Sequence, residues 1–174
     1  MNKSELNQLS QPKLIIVRGP LGVGKTTISK LLADRIGAFY ISIDKVLEDN
    51  KLDSIVEGES CISAENFLLA NKVALPEIIS HLMQEESVIV DGNFYHKEAI
   101  EDLLNKVGDF ESDVFTLKAT LDECVERDSK RGKSYPLSEV STVHSLVTKF
   151  DYGINIDVES ISAEETIEAI SKFL

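Results

Sequence analysis

Leu14-Ile15-Ile16-Val17 is an unbroken apolar run rich in β-branched residues. That is the pattern of a parallel strand covered on both faces. A glycine-rich stretch follows, and then Ile28, Leu31, Leu32 and Ile36 recur at helical spacing. Gly37 stands where the left-handed cap of that helix belongs. The two rhythms then alternate down the chain. Residues 39–43 predict a second strand ending at Asp44. Residues 87–90 predict a third closed by Asp91-Gly92, residues 114–117 a fourth, and Ile154, Ile156 and Val158 a fifth. Between them, Ser63 opens a helical pattern that carries Phe67, Asn71, Leu75, Ile78 and Leu82 on one side. Pro76 interrupts it, which predicts a kink or two helices. Ile100, Leu103, Leu104 and Val107 mark a helix stopped by Gly108. Thr120 with Glu123 and Ser162 with Glu165 read as capping boxes, and a further helix is expected over residues 138–150. Residues 45–61 are acidic and show no assignable period. Alternation of strand and helix defines a parallel α/β sandwich.

Composition narrows the picture. The 174 residues are 43% hydrophobic and 28% charged, which suits one globular domain. Residues 1–13 are polar and expected to form a flexible arm before a single domain over residues 14–174. No apolar run approaches the ~20 residues of a membrane span, and the arm lacks the apolar core of a secretory signal. A cytoplasmic protein is expected. Cys61 and Cys124 have no disulfide or metal-like spacing and read as buried or inert thiols in a reducing compartment. The net charge of −12 disfavours a nucleic-acid partner, whose backbone calls for a basic surface.

The segment Gly19-Pro20-Leu21-Gly22-Val23-Gly24-Lys25-Thr26 satisfies G-x-x-x-x-G-K-[ST] at every fixed position. Glycines let successive N–H groups turn inward around phosphates, and the following helix adds its positive end. Gly19, Leu21, Gly22, Val23, Gly24, Lys25, Thr26 and Thr27 are the expected phosphate-binding set. Lys25 would reach the β- and γ-phosphates of ATP, and the Thr26 hydroxyl would ligate Mg2+. A glycine-rich turn that binds nothing is the alternative. The position between a buried strand and an amphipathic helix favours the nucleotide.

Two carboxylates and two arginines extend this site. Asp44, at the end of the second strand, would lie at the carboxyl edge of the sheet, where ligands collect. There it can act as the base for an acceptor hydroxyl, and its alternative is a helix cap. Asp91, after Val88-Ile89-Val90, has the arrangement that delivers a carboxylate to the Mg2+ shell, through water; an Asp-Gly turn is its alternative. Arg127 and Arg131 share a helix face and are the candidate catalytic cations of a lid over about residues 127–137. Pairing with Glu123 and Glu126 on a solvated face is the competing reading. Asn93, Tyr95 and His96 are candidates for the acceptor pocket, while His81 and His144 read as packing or surface residues.

Together, Arg18-Gly19 through Thr27, Asp44, Val88 to Asn93 and the Arg127/Arg131 helix resemble the small P-loop kinases of the shikimate, gluconate, chloramphenicol-phosphotransferase and zeta-toxin type. The resemblance covers residues 14–174. It implies a three-layer P-loop NTPase fold with a five-stranded parallel sheet in the order 2-3-1-4-5 and a small mobile lid. It also implies Asp44 as base or as an outer Mg2+ carboxylate. The continuation after strand three has neither the Phe-Pro-Arg of adenylate-kinase-like enzymes nor the Gly-Gly-Gly of shikimate kinases, so no named substrate carries over. Transfer of the γ-phosphate from Mg·ATP to a hydroxyl of a small molecule is the leading expectation, by a monomer or homodimer. The alternatives are an ATPase or switch without an acceptor and, disfavoured by charge, a polynucleotide 5′-hydroxyl kinase. The absence of Asn-Lys-x-Asp favours ATP over GTP.

Overall fold

The apolar runs become one parallel sheet whose central strands are covered on both faces. The computed structural model describes residues 11–130, 132 and 134–174. In chain order its elements are β1 (Lys13–Arg18), α1 (Lys25–Ile36), β2 (Phe39–Ser42), α2 (Ile43–Asp49), α3 (Ala64–Met83), β3 (Val88–Gly92), α4 (Lys97–Lys106), β4 (Glu111–Lys118), α5 (Leu121–Ser129), α6 (Leu137–Val147), β5 (Ile154–Asp157) and α7 (Ala163–Ser171). The strand order is β2-β3-β1-β4-β5 and every pairing is parallel. The sheet and its order are those the resemblance implies.

The route from β1 to β2 crosses the sheet in one direction, and the next three connections cross it in the other. Right-handed crossovers therefore put α1 on one face and α3 and α4 on the opposite face. Helix α7 joins α1, and α3 packs on α2 and α4. The centre of the sheet is dry: Leu14 to Val17 and Val88 to Val90 are all buried without exposure, as are Phe115 and Leu117. Arg18 ends β1 fully buried. Its guanidinium donates to Thr116 Oγ1 (3.2 Å) and to the carbonyls of Phe150 (3.3 Å) and Val147 (2.8 Å), tying the end of α6 to the sheet. Desolvation lowers its pKa to about 10.

Several local expectations are revised. β2 stops at Ser42, whose hydroxyl accepts from the backbone N–H of Lys45 and caps α2, so Asp44 lies inside the first turn and is not the cap. Asp91 and Gly92 are paired residues of β3, opposite Val17 and Arg18, so no Asp-Gly turn forms. α3 is one helix through Pro76, whose exposed flank leaves the interrupted turn open to water. Ser162 and Glu165 complete their capping box. Thr120 caps α5, but the Glu123 carboxylate binds Arg127 instead of returning to the cap. Residues 1–10 of the expected arm, and Arg131 and Lys133 of the expected lid, lie outside the described residues. Among those described, no helix is long and apolar enough to cross a membrane.

Candidate active site

β1 leads directly into the glycine loop. Gly22 and Gly24 adopt φ of 81° and 103°, a region that disfavours side chains. Gly24 is the N-cap of α1, so no side chain satisfies the first N–H groups, and no acid occupies the first turn. The donors and the helix dipole are left for an anion. Gly22 also lies against α5: a Cβ there would stand 2.1 Å from the carbonyl oxygen of Cys124. Cys124 is buried, and desolvation pushes its thiol up to about 11, so it is inert as expected. Cys61 is half-buried.

Lys25 is buried and its ammonium donates to the carbonyl of Pro20 and to Asn93 Oδ1, each at 2.9 Å. The backbone N–H of Asn93 in turn donates to Asp44 Oδ1 at 3.3 Å. Asn93 thus joins the phosphate-loop lysine to the carboxylate at the sheet edge. Its neighbour Phe94 is fully buried with φ of 39°, a costly conformation for a bulky residue that the packing around it must hold. The Tyr95 hydroxyl accepts from Ile62 N–H (3.2 Å), and His96 Nε2 bonds the Ile62 carbonyl (2.8 Å). These two residues fasten the loop before α3.

Desolvation lifts the Asp44 carboxyl above its ordinary pKa; the Lys25 ammonium opposes the rise and the Asp91 carboxylate adds to it. Asp91, almost fully buried, accepts from the Tyr40 hydroxyl at 3.1 Å through Oδ1. Its Oδ2 is buried without a partner. The Tyr40 hydroxyl also meets the hydroxyls of Ser42 and Thr26, and desolvation with the Asp91 charge drives its pKa upward. A carboxylate with one oxygen unmatched, joined through the Tyr40 hydroxyl to the hydroxyl of Thr26, fits a hydrated Mg2+ ion.

Two cavities meet at Gly22. One, of about 340 Å3, is walled by Val23, Ile28, Val158 and Ile161, with Arg127 at its edge. Its aliphatic side chains offer a surface for a base, while Thr27, Arg127 and Thr166 make the rest of the lining polar. The second, of about 240 Å3, is walled by Lys25, Thr26, Ser42, Asp44, Lys45, Glu48 and Tyr135. Arg127 is fixed by three contacts: Nε to Glu123 (2.7 Å), one terminal nitrogen to the Val23 carbonyl (3.2 Å), the other to the Val158 carbonyl (2.7 Å). It therefore stands on the wall of the first cavity. Lys130 pairs with Glu126 on the exposed surface. His81 stacks on Phe39, and His144 bonds the Ala119 carbonyl. Tyr40, Glu48 and Tyr135 were not apparent from sequence: Tyr40 reaches Asp91 only through strand register, and Glu48 faces the cavity only because α2 begins one turn before it.

A strand, a glycine loop and a helix at the carboxyl edge of a 2-3-1-4-5 parallel sheet define a P-loop nucleotide-binding protein. The chain belongs to the AAA domain family, whose sequence model matches residues 15–145, and it stands among the small P-loop kinases. It is 26% identical over 208 residues to the cytidylate kinase of Thermosipho melanesiensis (strain DSM 12029 / CIP 104789 / BI429), covering 92% of this chain and 96% of that one. It is 27% identical over 146 residues to the shikimate kinase of Chloroherpeton thalassium (strain ATCC 35110 / GB-78), covering 81% and 76%. Two more local matches, at 39% and 45% identity, span only 47% and 22% of those relatives' own lengths. A sugar kinase from Janibacter sp. HTCC2649 superposes with a TM-score of 0.74 over 93% of each chain at 18% identity, a likeness of fold.

Proposed function

We propose that the protein transfers the γ-phosphate of ATP to a hydroxyl of a small-molecule acceptor. The observation that carries this reading is the pair of cavities on either side of Gly22, with Lys25 and Asp44 both facing the second. ATP would place its base in the first cavity, against Val23, Ile28, Val158 and Ile161, and its phosphates along residues 19–27. The acceptor would enter from the α2 side.

Thr26 and Asp91 would hold Mg2+, whose charge would offset that of the phosphates when bound. Lys25 exchanges its contacts with Pro20 and Asn93 for phosphate oxygens. Asp44 orients the acceptor hydroxyl and takes its proton as the oxygen attacks the γ-phosphorus. The bond from that phosphorus to the β,γ-bridging oxygen breaks, and ADP leaves with the electron pair. The raised affinity of Asp44 for protons suits a base, because it brings its pKa nearer to working pH. Arg127, fixed to the loop and to the segment after β5, shapes the nucleoside cavity in this reading.

The cytidylate kinase relative favours a second reading, in which the acceptor is a nucleoside monophosphate. ADP release from Mg·ATP, measured with and without a panel of alcohols and nucleoside monophosphates, separates the two. Lys25→Ala should lower acceptor-dependent ADP release by about 10²-fold or more. Full activity in that variant, or turnover that no acceptor stimulates, refutes the proposal.

A further inference from the structure

One residue touches both the phosphate-loop lysine and the carboxylate of α2, and belongs to neither element. Asn93 follows β3, whose Gly92 is paired with Arg18 at the end of β1, so the sheet register sets it beside the phosphate loop. The chain is held on either side of it. A Cβ on Gly92 would stand 3.1 Å from the Phe94 ring and 3.3 Å from Ile43 Cβ. The Phe94 ring is buried, with its centroid 6.2 Å from that of Phe67. Beyond it, Tyr95 and His96 are tied to Ile62. A polar side chain on so fixed a backbone is preorganised.

The chemistry of its partner orients the Asn93 amide. The Lys25 ammonium has donors only, so the atom 2.9 Å from it is the carbonyl oxygen Oδ1. The nitrogen Nδ2 is the other arm of the amide and carries two N–H donors. It has no hydrogen-bond partner among the described residues, and the side chain is half-buried. The backbone N–H of Asn93 is engaged with Asp44 Oδ1. The open donors therefore belong to a residue in contact with both Lys25 and Asp44, which wall the second cavity. An aspartate of the same shape would offer no N–H. It would also set a third carboxylate beside Asp44 and Asp91, whose charges already oppose each other.

We infer that Asn93 Nδ2 donates a hydrogen bond to an oxygen of the γ-phosphoryl group. This rests on the kinase reading and deepens it. As Lys25 turns to the phosphates, the group that draws it comes within reach of the amide that Lys25 leaves. Nδ2 then supplies a neutral donor where charge spreads over the transferring oxygens, beside the carboxylate that receives the acceptor proton. ADP has no phosphoryl group at that position, so the contact distinguishes the triphosphate from the diphosphate.

Calorimetry with ADP and with the non-hydrolysable β,γ-imido analogue of ATP, each with Mg2+, tests this without an acceptor. Asn93→Ala should weaken binding of the analogue by about tenfold, the size of one hydrogen bond to a charged group, and leave ADP affinity within about twofold. A fault in folding would weaken both nucleotides alike. Asn93→Asp keeps the volume and an acceptor for Lys25 while adding a negative charge, and should weaken the analogue by more than Asn93→Ala does. Equal changes for the two nucleotides in Asn93→Ala, or an analogue affinity unaltered in both variants, overturn the inference and leave the kinase reading standing. Wild-type protein that binds neither nucleotide, or binding that Lys25→Ala does not weaken, overturns both.

Discussion

Replacing Gly22 with alanine tests how tightly the phosphate loop is built against α5. Two costs add. The residue holds φ at 81°, and a side chain in the left-handed region costs about 1–2 kcal/mol. The new Cβ would also stand 2.1 Å from the Cys124 carbonyl oxygen and 2.9 Å from its carbon. That oxygen belongs to helix backbone and cannot swing aside like a flexible side chain, so the loop or α5 must move, at a further ~1–3 kcal/mol. Gly37→Ala isolates the first cost: its φ is 67° and nothing lies within 4 Å of the added carbon. Gly22→Ala should therefore lower the unfolding free energy by about 3 kcal/mol, and Tm by roughly 6–12 °C in a domain of this size. Gly37→Ala should lose about half as much. Urea denaturation of the nucleotide-free variants at equal m-values measures both. Displacing α5 also moves Arg127 from the nucleoside cavity, so calorimetry should show weaker ATP binding in Gly22→Ala and not in Gly37→Ala. Equal destabilisation of the two variants would refute the packing argument.

Asp44→Asn should lower kcat by about 10²–10⁴-fold with little change in ATP affinity; an unchanged kcat returns Asp44 to a structural role. Because the folded state raises the Asp44 pKa, its contribution to stability is present at low pH and lost as pH rises through that value. The uncharged asparagine should therefore raise Tm of the nucleotide-free protein at pH 7. Catalysis runs the opposite way, since the base must be ionised: kcat/KM should rise with pH through a limb above the ordinary aspartate range, and a limb at that range contradicts the assignment. Tyr40→Phe removes the hydroxyl from Asp91 Oδ1 and should raise the Mg2+ concentration for half-maximal rate severalfold while costing about 1 kcal/mol of stability; an unaltered Mg2+ titration dissociates Tyr40 from the site. Arg127→Ala should raise KM for ATP more than it lowers kcat, since its partners are the Val23 and Val158 carbonyls. A pure kcat effect would restore it to the transferring phosphate.

The glycine loop was legible in the sequence because its residues are contiguous and their spacing is fixed by the phosphates they surround. The positions of Asp44 and Asp91 at the sheet edge were legible as well, since apolar strands end beside them and strands of a parallel sheet deliver their ends to one edge. What stayed hidden depends on distant partners. Arg127 has helical spacing to Arg131, but its direction is decided by a carbonyl 104 residues earlier and another 31 residues later. Tyr40 faces Asp91 through the register that sets Ser42 opposite Asp91. Glu48 joins the cavity because Ser42, not Asp44, caps α2 and so fixes the phase of the helix. The Thr120 and Glu123 pattern held only for the hydroxyl, because Arg127 offered the carboxylate a charged partner. Local rules weighed the cap alone.

The strand order also sets the direction of the proposed reaction. β1 carries the phosphate loop at the centre of the sheet. Segments after β4 and β5, on one side, supply Arg127 and Val158 to the nucleoside cavity. β3, the neighbour on the other side, supplies Asp91, and β2, one strand further, leads into Asp44 and Glu48. Adjacent strands lie about 4.8 Å apart, so the carboxylate assigned to the metal falls one spacing from the loop and the carboxylate assigned to the acceptor about two. A base carried after β4 would stand beside the nucleoside cavity, away from the end of the phosphate loop that Lys25 and Thr26 face. In the proposed reaction the order β2-β3-β1-β4-β5 thus aligns nucleoside, phosphates, metal carboxylate and base along one edge, and the acceptor approaches from the α2 end.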